Sequence, residues 1–142
     1  MELIKYACEK YEQVYVVALV NETKEYLFSM EQKKKLIELA TAGFGNVVAD
    51  AYVGLTADYM HANGITHIIR GVRNEQDMAY EEDLAQKMKE FDSSFCTEII
   101  KCKSEHAHIS STWVRKKIEC KASLDGLVPQ ETINQIKIYV CN

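Results

Sequence analysis

The chain of 142 residues is 47% hydrophobic and 27% charged, with a formal net charge of −4. Those values suit one soluble globular domain and exclude a basic, non-specific nucleic-acid binder. One proline and six glycines leave no room for a flexible linker, and no repeat or low-complexity segment interrupts the chain.

The chain is expected to open on a helix, because Leu3, Ile4, Ala7, Cys8 and Tyr11 recur at helical spacing. "VYVVALV" (14–20) is a continuous β-branched run and reads as a strand buried on both faces. In "FSMEQKKKLIELATAG", Ser29 is a candidate N-cap with Gln32 three residues on, and Gly43 or Gly45 stops the helix. "NVVADAYV" reads as a strand, "LTADYMHANG" as a short helix ending at Gly64, and "THIIR" (66–70) as a strand. A helix is expected from Asp77 to about Phe91, then a strand at "FCTEIIK" (95–101). Ser110 or Ser111 caps a helix running to about Lys121, and a last helix follows Pro129 with Ile133, Ile136 and Val140 on one face. Strands alternating with helices imply a parallel, doubly wound α/β sheet, whose ligands lie beyond the carboxyl ends of the strands.

Three groups follow strands. Arg70 and Arg73 flank Gly71 at the end of "THIIR"; guanidinium forks suit phosphate oxygens, and glycine permits close approach to the backbone. The alternative is a surface arginine pair bridged to Glu75, Asp77 or Glu81. "HISSTWVRKK" (108–117) brings hydroxyls to a helix N-terminus, which favours anions or serves as a plain cap. Lys24, after the first strand, meets an anionic substrate or is simply solvated.

Other chemistries find little support. Five cysteines (Cys8, Cys96, Cys102, Cys120, Cys141) are odd in number and form no CxxC, so reduced thiols are expected. The histidines His61, His67, His106 and His108 lack HExxH spacing, His67 reads as a packed strand residue, and no GxSxG elbow occurs. No apolar run reaches the roughly 18 residues that span a bilayer. Glu2, Lys5, Glu9 and Lys10 interrupt any signal-peptide core, so a cytoplasmic protein is expected.

Together these motifs resemble the bacterial phosphopantetheine adenylyltransferases of the nucleotidyltransferase superfamily. "RGVR" followed by "DMAYE" is similar to the family's R-G-x-R and D-x-x-Y-E, and "HISSTWVR" to its serine-rich signature. "NETKEYLFSMEQK" and "GLTADYM" fit two further segments. Each motif alone is common; four in order, from residue 1 to about 140, are specific.

The resemblance implies a Rossmann-like nucleotidyltransferase fold in a single domain, residues 1–142. It implies adenylyl transfer from ATP to 4'-phosphopantetheine, giving dephospho-coenzyme A and pyrophosphate, with Mg2+ accompanying ATP and a homo-oligomer, a hexamer. Lys24, Thr56 and Arg70 would contact phosphopantetheine. Gly71, Val72, Arg73 and Glu81 would line the ATP site, and His106, Ala107, His108, Ile109, Ser110, Ser111 and Thr112 would wrap its phosphates. No nucleic acid, membrane or protein metal ligand is expected.

The sequence also departs from the pattern. The family's first strand and T-x-D-P-x-x-x-G-H element have no counterpart, so no catalytic histidine is assigned and an N-terminally truncated or misassigned chain with impaired activity is expected. Met88 stands where the family's helix carries asparagine, and His106 replaces an aromatic residue. The alternatives are a non-catalytic nucleotide- or coenzyme-A-binding relic and a nucleotidyltransferase for another phosphorylated acceptor. Without a strand between them, residues 14–20 and 66–70 are expected to pair directly or to stand as edges that recruit another chain.

Overall fold

The computed structural model describes residues 1–20, 25–103, 105 and 107–141. It divides into two compact units: Gly54–His108 together with Met1, and Glu2–Val53 together with Ile109–Asn142.

In the second of these, α1 (Glu2–Lys10) leads to β1 (Val14–Val20), α2 (Met30–Thr41) and β2 (Val47–Val53). Asn46 closes the C-terminus of α1: its side-chain amide donates to the carbonyls of Cys8 (3.0 Å) and Tyr11 (2.9 Å). Those carbonyls would otherwise lack partners. β1 and β2 are parallel, from Val14 opposite Val47 to Val20 opposite Val53. The crossover α2 begins on the expected capping box: the Ser29 hydroxyl accepts from the Gln32 amide, and the Gln32 side chain accepts from the Ser29 amide. This unit also carries α5 (Ser111–Glu119) and α6 (Gln130–Cys141). Ile118, Leu124, Ile133 and Ile136 form its core, with Phe28 and Leu36 packed against them. Val140 does not share that face; it is 41% exposed, while Ile133 and Ile136 point inward.

The other unit repeats the strand–helix–strand plan. α3 (Thr56–Ala62) ends at Gly64, whose φ of 63° requires a residue without Cβ strain. β3 (His67–Val72), α4 (Glu75–Phe91) and β4 (Cys96–Lys101) follow, with β3 and β4 parallel from His67 opposite Cys96 to Val72 opposite Lys101. Ala57, Met60, Met88 and Phe95 form the core between α3, α4 and the sheet. Met60, Met88 and Phe95 each contribute about 1.5–3 kcal/mol by leaving water.

The expected parallel α/β alternation is present, with several local corrections. Among the described residues the strands form two two-stranded sheets, β1–β2 and β3–β4, one in each unit. No residue of β1 is fully buried; all seven are half-buried. β3 runs two residues past Arg70, because Gly71 and Val72 keep their ladder partners Ile100 and Lys101. α4 begins at Glu75 rather than Asp77, since Asn74 supplies the N-cap. His67 is exposed, with its Nδ1 3.0 Å from the Thr66 hydroxyl.

Candidate active site

The turn between β3 and α4 brings together Arg70, Gly71, Val72, Arg73 and Glu81. Val72 anchors it: the side chain is 1% exposed, and its carbonyl accepts from the Cys102 amide at 2.8 Å. Arg73, the first residue past the strand, is half-buried.

Both arginines are held by carboxylates of α4, as the bridged alternative expected. Arg70 Nε and Nη2 donate to Glu81 at 2.7 and 2.8 Å. Glu81 is buried, so this fork supplies the hydrogen bonds that its carboxylate loses on leaving water. The hydrogen bond to Glu81 raises the Arg70 pKa above its usual value, against the opposing effect of burial.

Arg73 Nε and Nη2 donate to Asp77 at 2.7 and 3.2 Å, and the Arg73 backbone amide donates to the same carboxylate at 3.2 Å. Hydrogen bonds from Arg73 hold the Asp77 carboxyl below the usual aspartate range, while the fork raises Arg73. Asp77 and Glu81 stand four residues apart on α4, on one helix face. Each carboxylate takes the Nε–Nη2 edge of its arginine, and the Nη1 edge lies outside the fork. Thr56, half-buried in the same unit, is the first residue of α3.

The second group lies at the start of α5. The Ser110 hydroxyl accepts from the Trp113 amide at 3.2 Å, so Ser110 is a working N-cap. Ser111 and Thr112 are exposed in the first turn, where helix amides lack intrahelical partners. The Thr112 hydroxyl accepts from Arg115 at 3.1 Å. Ile109 is half-buried before the cap; Ala107 (half-buried) and His108 (exposed) form a turn that belongs to the other unit. Lys24 and His106 lie outside the described residues.

Sequence reasoning placed Asp77 among three possible partners and, through the D-x-x-Y-E resemblance, on the phosphopantetheine side, without naming it as a site residue. The signal was present in the spacing, since Asp77 follows Arg73 by four residues and begins the D-x-x-Y-E run. Asn74, which fixes the start of α4 through the Asp77 amide at 2.8 Å, was not singled out.

Residues 1–117 match the family model described as cytidylyltransferase-like, which sets the class as nucleotidyltransferase-like. A phosphopantetheine adenylyltransferase of Clostridium novyi (strain NT) is 35% identical over 136 residues, covering 96% of this chain and 84% of that protein. One of Lactiplantibacillus plantarum is 32% identical over 129 residues (91% and 79%). One of Streptococcus pyogenes serotype M1 is 33% identical over 138 residues (96% and 85%). The chain belongs to the phosphopantetheine adenylyltransferase family.

Proposed function

We propose that the chain transfers the adenylyl group of ATP to 4'-phosphopantetheine, forming dephospho-coenzyme A and pyrophosphate in coenzyme A biosynthesis. The observation that carries this reading is the 35% identity to a named adenylyltransferase over 136 residues. The guanidinium forks of Arg70 and Arg73 add chemistry suited to two phosphorylated substrates.

In the reaction an oxygen of the acceptor phosphate attacks the α-phosphorus of ATP. The bond from that phosphorus to the bridging oxygen breaks, and pyrophosphate leaves with the electron pair. Such chemistry depends on alignment and on charge neutralisation. Arg70, Thr56 and Lys24 take the acceptor side. Gly71, Val72, Arg73 and Glu81 take the nucleotide, with residues 106–112 around its phosphates. Because Val72 turns its side chain into the core, its part is through the backbone.

Magnesium belongs to this reading as the partner of ATP, neutralising phosphate charge. Among the described residues no group of three His, Cys, Asp or Glu side chains converges as a metal cage. Asp77 and Glu81 are engaged by arginines. That donor set fits an ion carried chiefly by phosphates and water, as magnesium commonly is. The reading also includes a homo-oligomer, a hexamer, and a cytoplasmic location; among the described residues no helix is long and apolar enough to cross a membrane.

The test is calorimetric titration with 4'-phosphopantetheine, pantetheine and dephospho-coenzyme A. The phosphorylated acceptor should bind at least about tenfold more tightly than pantetheine, the difference expected of one charge-assisted contact. Failure to bind either 4'-phosphopantetheine or dephospho-coenzyme A would overturn the proposal.

A further inference from the structure

We infer that Asp77 is a positioning residue, which sets the Arg73 guanidinium so that its outer edge meets a phosphate of the nucleotide. The inference rests on the proposed role of Arg73 at ATP and gives Asp77, which the D-x-x-Y-E resemblance set on the acceptor side, a part at the nucleotide.

The local geometry is more specific than an ordinary surface pair. In a capping box the third helical residue reaches back to the amide of the N-cap residue. Here the cap is Asn74, yet the carboxylate of Asp77 passes over it to the residue before, accepting from the Arg73 amide at 3.2 Å. The same oxygen accepts from Arg73 Nε at 2.7 Å, and the other oxygen accepts from Nη2 at 3.2 Å. Three bonds thus tie one side chain to both ends of Arg73. Asp77 is in turn fixed, since its own amide donates to the Asn74 side chain at 2.8 Å. Glu75, the other acid of that first turn, makes no ion pair with Arg73.

The consequence for binding follows from the shape of guanidinium. A free arginine samples many rotamers and loses that freedom on meeting a ligand. Asp77 removes the freedom beforehand by clamping the Nε–Nη2 edge, which leaves Nη1 and the second Nη2 proton aligned on the outer edge. The Arg73 side chain is 37% exposed against 26% for Asp77, so the pair is open to solvent rather than sealed within the unit. A phosphate bound there would lie across the guanidinium from the carboxylate, where water and salt screen their repulsion. Orientation, by contrast, governs both bonds of the new fork.

An exposed i,i+4 ion pair contributes little to folding, and this separates positioning from stability. ATP binding is to be titrated on the full chain and on the variants Asp77→Asn, Asp77→Glu, Arg73→Ala and Arg73→Ala/Asp77→Asn. Asp77→Asn should weaken ATP about tenfold, shift the thermal midpoint by no more than about 2 °C, and weaken 4'-phosphopantetheine less than ATP, since the Arg70–Glu81 fork is kept. Asp77→Glu, which keeps the carboxylate, should recover affinity to within about threefold of the parent. The double variant should be no weaker than Arg73→Ala alone, because Asp77 acts only through Arg73. Unchanged or tighter ATP binding in Asp77→Asn, or additive losses in the double variant, would overturn the inference alone. An Arg73→Ala chain that binds ATP like the parent, or a parent that binds none, would instead remove the nucleotide role beneath it.

Discussion

The β3–α4 turn and the N-terminus of α5 both receive phosphate in the proposed reading, yet they are built from opposite materials. The first carries full charges that are already neutralised: Glu81 holds Arg70 and Asp77 holds Arg73. The second carries no formal charge in its first turn and offers hydroxyls and backbone amides. A phosphate arriving at the turn must share or displace a carboxylate, so its binding is an exchange of partners. One arriving at α5 meets donors that would otherwise bond water, so its binding is an addition. Exchange favours ligands that match a fork, whereas addition accepts any anion of the right size.

The largest effect should come from the buried half of the turn. Arg70→Ala leaves the Glu81 carboxylate, with a side chain 11% exposed, without its fork. The Arg70 side chain is itself 34% exposed, so its removal costs about 1–3 kcal/mol rather than the full penalty of a sealed pair, to be read as a lower urea midpoint. Affinity for 4'-phosphopantetheine should fall at least about tenfold, with ATP affinity much less affected. Adding Glu81→Gln should recover part of the stability and none of the affinity. An Arg70→Ala chain with unchanged 4'-phosphopantetheine affinity would defeat the assignment of Arg70, whatever its stability.

How far the sequence foretold these two regions depends on the range of the interactions involved. Local signals were legible: Ser29 with Gln32 and Gly64 as a helix end appear as expected, and of the two candidate caps Ser110 and Ser111 it is Ser110 that caps. The pairing of Arg73 with Asp77 was within reach, since four residues bring two side chains together at a helix start. Glu81 was named as one of three possible partners of the arginine pair, but its assignment to Arg70 depends on how α4 packs back across β3. The same limit explains the strand errors. β1 reads as doubly buried from its composition, but burial depends on what lies over each face, which no run of valines records. Val140 fits the apolar period of α6, yet the helix presents it outward.

The middle effect tests the α5 side of the comparison, where capping and binding should separate. Ser110→Ala removes the oxygen that accepts from the Trp113 amide and should cost about 1 kcal/mol of stability. Ser111→Ala should change stability by less than about 0.5 kcal/mol, since its side chain is exposed and caps nothing. ATP affinity should nevertheless fall about threefold to tenfold in Ser111→Ala, the loss of one neutral hydrogen bond. Equal ATP binding by Ser111→Ala and the parent would leave α5 as a capped helix and nothing more.

The smallest effect concerns an acid that is held by hydrogen bonds as Asp77 is but stands at the opposite end of α4 from the β3–α4 turn. Asp92 caps the end of α4: its Oδ1 accepts from the Ser94 amide and hydroxyl at 2.8 and 2.7 Å, and its Oδ2 lies 2.6 Å from His61 Nε2. His61 also rests against the rings of Phe91 and Phe95. The hydrogen bonds from Ser94, and then that from His61, depress the Asp92 carboxyl to about 2 from an ordinary 3.8. A folded-state pKa below the unfolded value means that the stabilisation is fully present above about 3.8 and is lost as pH falls through about 2. Asp92→Asn should therefore lower the urea midpoint slightly at pH 7, and the gap to the parent should close between those two values. ATP and 4'-phosphopantetheine affinities at pH 7 should stay within about twofold, since distant sites act independently. If the gap stayed constant down to pH 2, the carboxylate would not be the source of the effect. Lost affinity for ATP in Asp92→Asn would show that holding an acid by hydrogen bonds is no mark of the phosphate turn, and would remove the ground for treating Asp77 differently from Asp92.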